Sequence, residues 1–236
     1  MKIHILLPLV FLSSISLAQQ NFINVPSSEA TKKNGLFFQQ QLNFNEIIQS
    51  NTTLDFGLGK GFEIGANVLG LNFSDKNKSF ITNDSNDVDP YNPLVILNGL
   101  KQFELSKHIS ISSGLQFGLN FMDHKKTSQV GLAYTNLVFK DFLMENSSFV
   151  IGGYYNSKHY GGKNGNRIGA WLGTEIPIIK KLHFVAESVL GYNALSYTSL
   201  GIIYFPKKRI PITLGVQIPN TKSNTYSLVF ELTFVP

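Results

Sequence analysis

The feature that most constrains this chain is a strict alternation of apolar and polar residues. From 109 to 121 the odd positions carry Ile, Leu or Phe, Ser113 excepted, and the even positions carry Ser, Gly, Gln or Asn. A period of two places neighbouring side chains on opposite faces of a β-strand, so one face is apolar and the other small and polar. The alternation returns at 53–58, 167–178, 210–218 and 226–234. Because no segment beyond residue 34 has a sustained helical period, the sequence predicts an all-β fold.

Twelve segments carry this alternation in a strict or weaker form. They are 35–44, 50–58, 62–73, 94–105, 109–121, 130–141, 148–157, 167–178, 182–192, 195–205, 210–218 and 225–235. Many approach the length of about 9–11 residues with which a tilted strand crosses hydrocarbon, and exceed the five or six residues typical of soluble sheets. The alternation is less regular in 94–105, 130–141, 195–205 and the end of 62–73. Twelve strands are therefore predicted, with ten as the alternative.

Composition excludes several classes of protein and site. Only 15% of the residues are charged, against about a quarter in a typical soluble domain. The chain has no cysteine, which excludes disulfides, thiolate metal sites and a cysteine nucleophile. The net charge of +5 is small and scattered, so nucleic acid is not a predicted partner.

Long strands without apolar helices favour a sheet that spans a membrane. Backbone N–H and C=O groups in hydrocarbon must be hydrogen-bonded within the protein, so strands can cross only as a closed barrel. We therefore predict a closed antiparallel transmembrane β-barrel, with its apolar face toward lipid and its Gly-, Ser-, Asn- and Gln-rich face toward a wet lumen. The alternative is a soluble β-sandwich, because alternation alone does not say which face meets solvent.

The N-terminal region lies outside this pattern. Residues 1–18 combine Lys2, an apolar run and a small-residue stretch ending at Ala18, which predicts a cleaved signal peptide. Residues 19–34 have no strand period and contain Pro26, so they form either a periplasmic tail or a plug segment folded into the lumen. The predicted barrel domain covers residues 35–236.

The last predicted strand carries the residues most specific to a known group. It places five apolar side chains on one face, namely Tyr226, Leu228, Phe230, Leu232 and Phe234. Residues 35–236 resemble the single-chain outer-membrane β-barrel proteins of Gram-negative bacteria, including porins, whose last strand is read by the barrel-assembly machinery. Members commonly end on the aromatic residue, whereas Val235 and Pro236 follow here. The resemblance implies export, location in the cell outer membrane and contact with its lipids.

A second resemblance concerns one Gly-rich hairpin. Residues 55–65, with the sequence DFGLGKGFEIG, are similar to outer-membrane transporters of the phenol-degradation-pathway type. The predicted connections also fit an outer-membrane barrel, which alternates short periplasmic turns with longer outward loops. The longest connections, 74–93, 122–129 and 158–166, all follow odd-numbered strands. We therefore expect these three loops on the outward side, with 74–93 as a solvated loop.

Six carboxylates are predicted to face the lumen within its periplasmic half. They are Asp55, Glu63, Glu104, Glu175, Glu187 and Glu231. A belt of this kind at the inner mouth would concentrate cations and repel anions. The alternative is that the six residues form ion pairs with Lys101, Lys140, Arg167, His183 or the lysines of the turns and only stabilise the wall.

The predicted function is an outer-membrane channel for passive or substrate-specific passage of small solutes, with a cation preference as the finer hypothesis. The alternative is a non-conducting structural or surface-interaction barrel that acts through its outward loops. A remote alternative is a lipid hydrolase, because His108-Ile109-Ser110 has a His-x-Ser spacing. The expected short turn at His108 argues against it, and no catalytic, cofactor or metal site is predicted.

Overall fold

The described part of the computed structural model comprises residues 22–81, 92–120, 127–222 and 224–236. These residues form thirteen strands and no helix. The strands are β1 (Leu36–Phe44), β2 (Ile48–Gly59), β3 (Phe62–Ser74), β4 (Ser79–Ile81), β5 (Leu94–Glu104), β6 (Ile109–Asn120), β7 (Ser128–Lys140), β8 (Ser148–Asn156), β9 (Ile168–Ile179), β10 (Leu182–Leu190), β11 (Tyr197–Lys207), β12 (Ile210–Pro219) and β13 (Ser227–Phe234). The predicted signal peptide lies outside the described residues.

Twelve of these strands close into an antiparallel barrel. Each pairs with its neighbours in the chain, β3 pairs with β5, and β1 pairs with β13 to close the ring. At this seam Phe38 is opposite Phe234, with ring centroids 6.0 Å apart. The prediction of a closed twelve-stranded barrel is confirmed, and each predicted segment ends within two residues of its strand.

The short strand β4 corrects the prediction for loop 74–93. Residues 79–81 pair with Asn72–Ser74 and extend β3 into a hairpin, whose turn contains an ion pair between Lys78 and Asp75. Phe80 packs edge-on against Phe73, with ring centroids 5.5 Å apart. Three residues are too few to show a period of two, so the sequence pattern could not reveal this strand. Residues 82–91 lie outside the described residues, as do 121–126 in the loop predicted at 122–129.

The apolar face of the barrel points outward. On β6, Leu115 is 61% exposed and Phe117 is 55% exposed, whereas the alternating Ser112 and Asn120 are fully buried inside. A soluble sandwich would bury the apolar face, so this arrangement excludes the sandwich alternative and is the one that lipid requires. None of the described residues belongs to a helix long and apolar enough to span a membrane.

The connections differ between the two ends of the barrel. We call the end where β1 begins and β13 ends the near end, and the opposite end the far end. Near-end connections are short, from the two residues at 60–61 to the seven at 141–147. The far end carries the longest connections, including 157–167, together with the three-residue turn 45–47.

The N-terminal segment, residues 22–34, lies inside the barrel up to its turn into β1. That turn is made at the near end, where Asn34 N donates to Gly57 O (2.8 Å) and Gly35 N donates to Lys32 O (2.8 Å). A side chain at Gly57 would overlap the carbonyl oxygens of Thr31 and Lys32. Glycine at this position therefore lets the segment pass close to β2.

Candidate functional site

One carboxylate of the barrel wall binds the start of the N-terminal segment. Glu187, on β10, accepts hydrogen bonds from three successive backbone N–H groups, those of Ile23 (3.1 Å), Asn24 (2.9 Å) and Val25 (2.8 Å). The Asn24 side chain donates to it at 2.7 Å and the Ser199 hydroxyl at 2.9 Å. Consecutive N–H groups that converge on one anion form a nest, and hydrogen bonds to a charged acceptor are stronger than neutral ones. The buried Glu187 is thus the main anchor of the segment.

A second carboxylate binds the other end of the segment. Glu63, on β3, accepts hydrogen bonds from the backbone N–H of Thr31 (2.6 Å) and from its hydroxyl (2.5 Å). In the ring of twelve barrel strands, β3 and β10 are six strands apart, so Glu63 and Glu187 lie on opposite walls. The N-terminal segment therefore crosses the lumen from wall to wall.

Strands between the two anchors contact the middle of the segment. The Asn136 amide, on β7, donates to Pro26 O (3.1 Å) and to the Ser28 hydroxyl (2.6 Å), and its oxygen accepts the Trp171 indole N–H at 2.5 Å. Lys140 forms an ion pair with Glu29 at 2.7 Å. Wall contacts therefore follow the segment along its whole path across the lumen.

The segment also buries apolar side chains against one side of the lumen. Phe22, Ile23 and Val25 are almost fully buried in a single apolar cluster, and the Phe22 ring occupies the space that a side chain at Gly173 would need. We call the inward residues of this cluster on the barrel strands the apolar wall, namely Leu94, Ile96, Val130, Leu132, Val138, Val150, Tyr154, Trp171, Val185, Val189, Ile203, Phe205 and Val229. This part of the lumen is packed like a protein core.

The lumen around β1, β2 and β3 is lined mainly by side-chain amides. We call these inward residues the amide wall, namely Gln39, Gln41, Asn43, Gln49, Asn51, Asn67, Asn72, Asn98 and Gln217. A cavity of about 540 Å³ lies between the amide wall, the N-terminal segment and the far-end turn at 45–47. The segment contributes Asn24, which is exposed to the lumen, to the floor of this cavity. This cavity therefore lies against the amide wall, and Leu94, Leu132, Trp171 and Val189 of the apolar wall also border it.

Far-end connections fold over part of the lumen. Tyr160, in the loop 157–167, is buried and donates its hydroxyl to the Gln116 amide oxygen at 2.8 Å. Asn193, in the loop 191–196, is fully buried and donates to Asn166 O at 3.0 Å. Ala194 N donates to Gly161 O at 3.0 Å, which ties the two loops together. Burial in apolar surroundings raises the pKa of Tyr160, so its phenol stays protonated as a donor.

Five of the six predicted lumen carboxylates are buried inside the barrel. Besides the two anchors, Asp55 accepts from the Asn98 amide (2.7 Å), Glu175 contacts His183 Nδ1 (2.5 Å), and Glu231 accepts from Thr213 (3.3 Å). Glu104 is the exception, because it is the last residue of β5 and is exposed where the strand ends.

Of the ion pairs considered from sequence, the described structure shows the Glu175–His183 pair. Lys101 instead lies over the rings of Phe62 and Phe103, at 4.1 and 4.8 Å from their centroids. Lys140 pairs with Glu29, a residue that the pattern of alternation did not single out. Two of the carboxylates therefore bind protein backbone, and a prediction based on charge alone did not find those partners.

The predicted hydrolase residues are not arranged around an accessible nucleophile. His108 lies in the exposed near-end turn 105–108, and its Nδ1 is 3.3 Å from Asp141 Oδ2 on the adjacent turn. Ser110 is buried inside the barrel, where its hydroxyl is 3.4 Å from the Gln102 amide nitrogen. Asp141 is a partner that residue spacing did not reveal. A lipid ester could not reach the buried Ser110, so this arrangement does not support acyl transfer.

The predicted assembly residues share the outward face of β13 and of the residue before it. Tyr226 and Leu228 are the most exposed of the five, at 70% and 61%. Phe230, Leu232 and Phe234 continue the stripe beside the seam with β1. The pattern therefore presents an apolar stripe to the surroundings of the barrel.

No protein-family model matches the chain, and no curated protein matches it. Solved structures of outer-membrane proteins do match its fold. The KdgM porin, solved in complex with disordered oligogalacturonate, aligns with 8% identity and a TM-score of 0.60 over 85% of this chain and 99% of that chain. Escherichia coli outer membrane phospholipase A aligns with 12% identity and a TM-score of 0.47, over 93% and 99%. An outer membrane channel from Pseudomonas putida aligns with 10% identity and a TM-score of 0.48, over 89% and 98%. The chain thus has the closed-barrel fold of an outer-membrane porin.

Proposed function

We propose that this protein is an outer-membrane channel for small hydrophilic solutes, closed in its resting state by the N-terminal segment. Three observations support a membrane channel: an apolar outward face, a barrel fold shared with the KdgM porin, and a polar cavity inside. The evidence for a closed resting state is that the N-terminal segment crosses the lumen from wall to wall and so occupies the path along the barrel axis.

Hydrogen bonds rather than covalent bonds hold the segment, so its release is a population shift between two states. Release would leave Glu187 and Glu63 facing an open lumen without their backbone donors. Two bare carboxylates on opposite walls would attract cations, so we propose that the open state prefers cations. In the closed state both carboxylates are already bound by the N-terminal segment.

Oligogalacturonate, which is bound in the KdgM porin structure, does not suit the cavity of this protein. Oligogalacturonate carries a carboxylate on each sugar unit, and an anionic chain needs cationic partners in its path. Among the described residues that line the cavity there is no lysine, arginine or histidine. We therefore propose a channel for solutes other than acidic oligosaccharides.

A second candidate function has a specific observation in its favour. The packing of Phe22, Ile23 and Val25 on the apolar wall is that of a permanent core, which a structural barrel would have. Such a barrel would act through its far-end loops and would not conduct. The same observation therefore defines the experiment that separates the two functions.

The deciding measurement is single-channel conductance of the refolded mature chain, residues 19–236, in planar bilayers. The channel predicts brief openings in the unaltered protein and a larger open fraction in Glu187→Leu, which cannot accept the three backbone hydrogen bonds. Glu231→Gln is the matched control, because this buried glutamate accepts hydrogen bonds from Thr213 and Thr233 on the wall. Silence of all three barrels, each shown to be folded by heat-dependent gel migration, would support the structural function.

The remaining predictions about biogenesis follow from this proposal. We propose that residues 1–18 direct export and are then removed, and that the stripe Tyr226–Phe234 is recognised by the barrel-assembly machinery. Its position at the closing seam supports this, because the pairing of β13 with β1 closes the barrel. Outer-membrane lipids would then cover the apolar outward face.

A further inference from the structure

The cavity combines two kinds of surface that face each other. Of the thirty-eight described residues that line it, fourteen are Asn or Gln, and most of these belong to the amide wall. Its other side includes the rings of Tyr134 and Trp171, whose centroids are 5.4 Å apart in an edge-to-face arrangement. Amides donate and accept hydrogen bonds, whereas rings offer flat apolar surface. A ligand that fits both surfaces must itself have many hydroxyl groups and an apolar face.

Several polar atoms of the amide wall have no hydrogen-bond partner among the described residues. Asn67 and Asn72 are both more than nine-tenths buried, and no described residue donates a hydrogen bond to the side-chain oxygen of either. The side-chain oxygen of Asn98 is in the same state. A buried acceptor without a donor costs about 1–3 kcal/mol, and all three of these residues line the cavity.

Charge limits the class of ligand further. The carboxylates that line the cavity are Glu29, Glu46, Asp55 and Glu63, and no cationic side chain lies among the described lining residues. An anionic ligand would therefore be repelled. Three of the four carboxylates already have partners, since Lys140 pairs with Glu29, Asn98 donates to Asp55 and Thr31 donates to Glu63. A cationic ligand would find few bare carboxylates, so a neutral ligand fits best.

We propose that this cavity is a binding site for neutral carbohydrates of mono- to disaccharide size. Their hydroxyl groups would bind the amide wall, and their C–H faces would lie against the Tyr134 and Trp171 side of the cavity. The cavity volume of about 540 Å³ falls within the range of about 300–1,000 Å³ found for small-molecule sites. The inference rests on the proposed channel function and names the class of solute that enters it.

The sequence supplies a built-in reporter for this site. Trp171 is the single tryptophan of the chain, and it lines the cavity. Its fluorescence can therefore be followed in the refolded full mature chain while a sugar is added. The probes are the neutral disaccharides maltose, sucrose, cellobiose and trehalose, together with the anionic digalacturonate.

We expect at least one neutral disaccharide to change Trp171 fluorescence in a saturable way, and digalacturonate to bind at least about tenfold more weakly. Asn67→Leu and Asn72→Leu should each weaken the neutral sugar by about tenfold, because each removes an amide at nearly constant volume. Both variants are made because, if one of them does not fold, the other still tests the site. Gln129→Leu is the matched control, since this amide is exposed on the outward side of β7.

Three results would overturn the carbohydrate site. These are no saturable signal with any neutral disaccharide, unchanged binding in both folded amide-wall variants, or tighter binding of digalacturonate. Conductance measured on the same preparations separates this failure from failure of the channel. Openings without sugar binding would reject the carbohydrate site alone, whereas sugar binding in a silent barrel would reject the channel alone.

Discussion

The two sides of the lumen differ in the polarity of their side chains and in how tightly they are packed. The apolar wall packs against Phe22, Ile23 and Val25 and forms a dry core inside the barrel. The amide wall faces the cavity, and residues there such as Asn67 keep unpaired acceptors. One barrel thus contains a protein core and a polar site side by side, and Leu94, Leu132, Trp171 and Val189 of the apolar wall border both.

This difference explains why the alternation of apolar and polar residues is regular in some strands and irregular in others. On β6 the inward residues are small or polar, and on β13 all but Val229 are, so the period of two stands out. On β5, β7 and β11 the inward residues include Ile96, Val130 and Ile203, so both faces are apolar and the alternation is lost. An irregular pattern in a barrel strand therefore indicates that something apolar fills the lumen beside it.

The largest effect is expected where the apolar wall has no spare space. A side chain at Gly152 would overlap Asn136 Oδ1 and crowd the Trp171 indole, so Gly152→Val should destabilise the barrel by about 3 kcal/mol or prevent folding. Gly153→Val is the adjacent control on the outward side, where the nearest heavy atom is 3.7 Å away, and should change stability by less than about 0.5 kcal/mol. Urea unfolding in lipid vesicles, followed by Trp171 fluorescence, measures both. Equal stability of the two variants would contradict a packed apolar wall.

The next effect tests whether the apolar wall is dry. Val185 is fully buried there, and Val185→Thr adds a hydroxyl at constant volume, which should cost about 1–3 kcal/mol of unfolding free energy. The reverse exchange on the polar side, Thr53→Val, should cost less than about 1 kcal/mol because this residue faces the cavity. Comparable losses in the two variants would show that both walls are equally hydrated.

A third prediction concerns the anchor between the two walls. Glu187→Gln keeps the shape of the side chain but removes the charge that three backbone N–H groups share, so their amide hydrogen exchange should accelerate by about tenfold. Glu231→Gln serves as the control and should leave the exchange of residues 23–25 unchanged. The measurement is hydrogen exchange with mass spectrometry of the N-terminal peptide. Unaltered exchange in Glu187→Gln would mean that apolar packing alone holds the segment.

The smallest effect is expected at the ion pair between Glu29 and Lys140. Both side chains are partly exposed, so Lys140→Gln should reduce stability by less than about 1 kcal/mol, and the difference should fall as salt is raised. Urea unfolding at low and high salt measures this. A larger loss of stability that does not depend on salt would mean that this ion pair holds the N-terminal segment as strongly as Glu187 does.

Strand number, faces and ends could be predicted because each is set locally. Period-two alternation and short polar turns are written in consecutive residues, as in the strand from Ile109 to Asn120. The end of β3 shows where a prediction from period-two alternation fails. Gly70, at φ 68°, lies at a register shift between β2 and β3, and inward positions change from odd, as in Asn67, to even, as in Asn72. A bulge of this kind interrupts the period that the prediction relied on.

Five inward carboxylates could be predicted from strand parity, but their partners could not. Parity places the side chains of Glu187 and Glu63 inside the barrel. From the sequence alone, they are most simply interpreted as part of a belt of carboxylates at the open mouth of a channel. Their actual donors are the backbone of Ile23 to Val25 and Thr31, which carry no charge to suggest a pair. Composition cannot identify a backbone N–H as the partner of an acid.

By itself, the sequence determined long strands with one apolar and one polar face, because side-chain direction in a strand depends only on the position along it. Exposure in the closed barrel showed that the apolar face points outward. The tertiary structure decided what fills the lumen. The hydrogen bond from Val25 to Glu187 joins residues 162 positions apart, and a contact at that separation leaves no period in the chain. The division of the lumen into a packed side and a polar cavity is therefore a property of the closed barrel, since only closure brings the N-terminal segment between opposite walls.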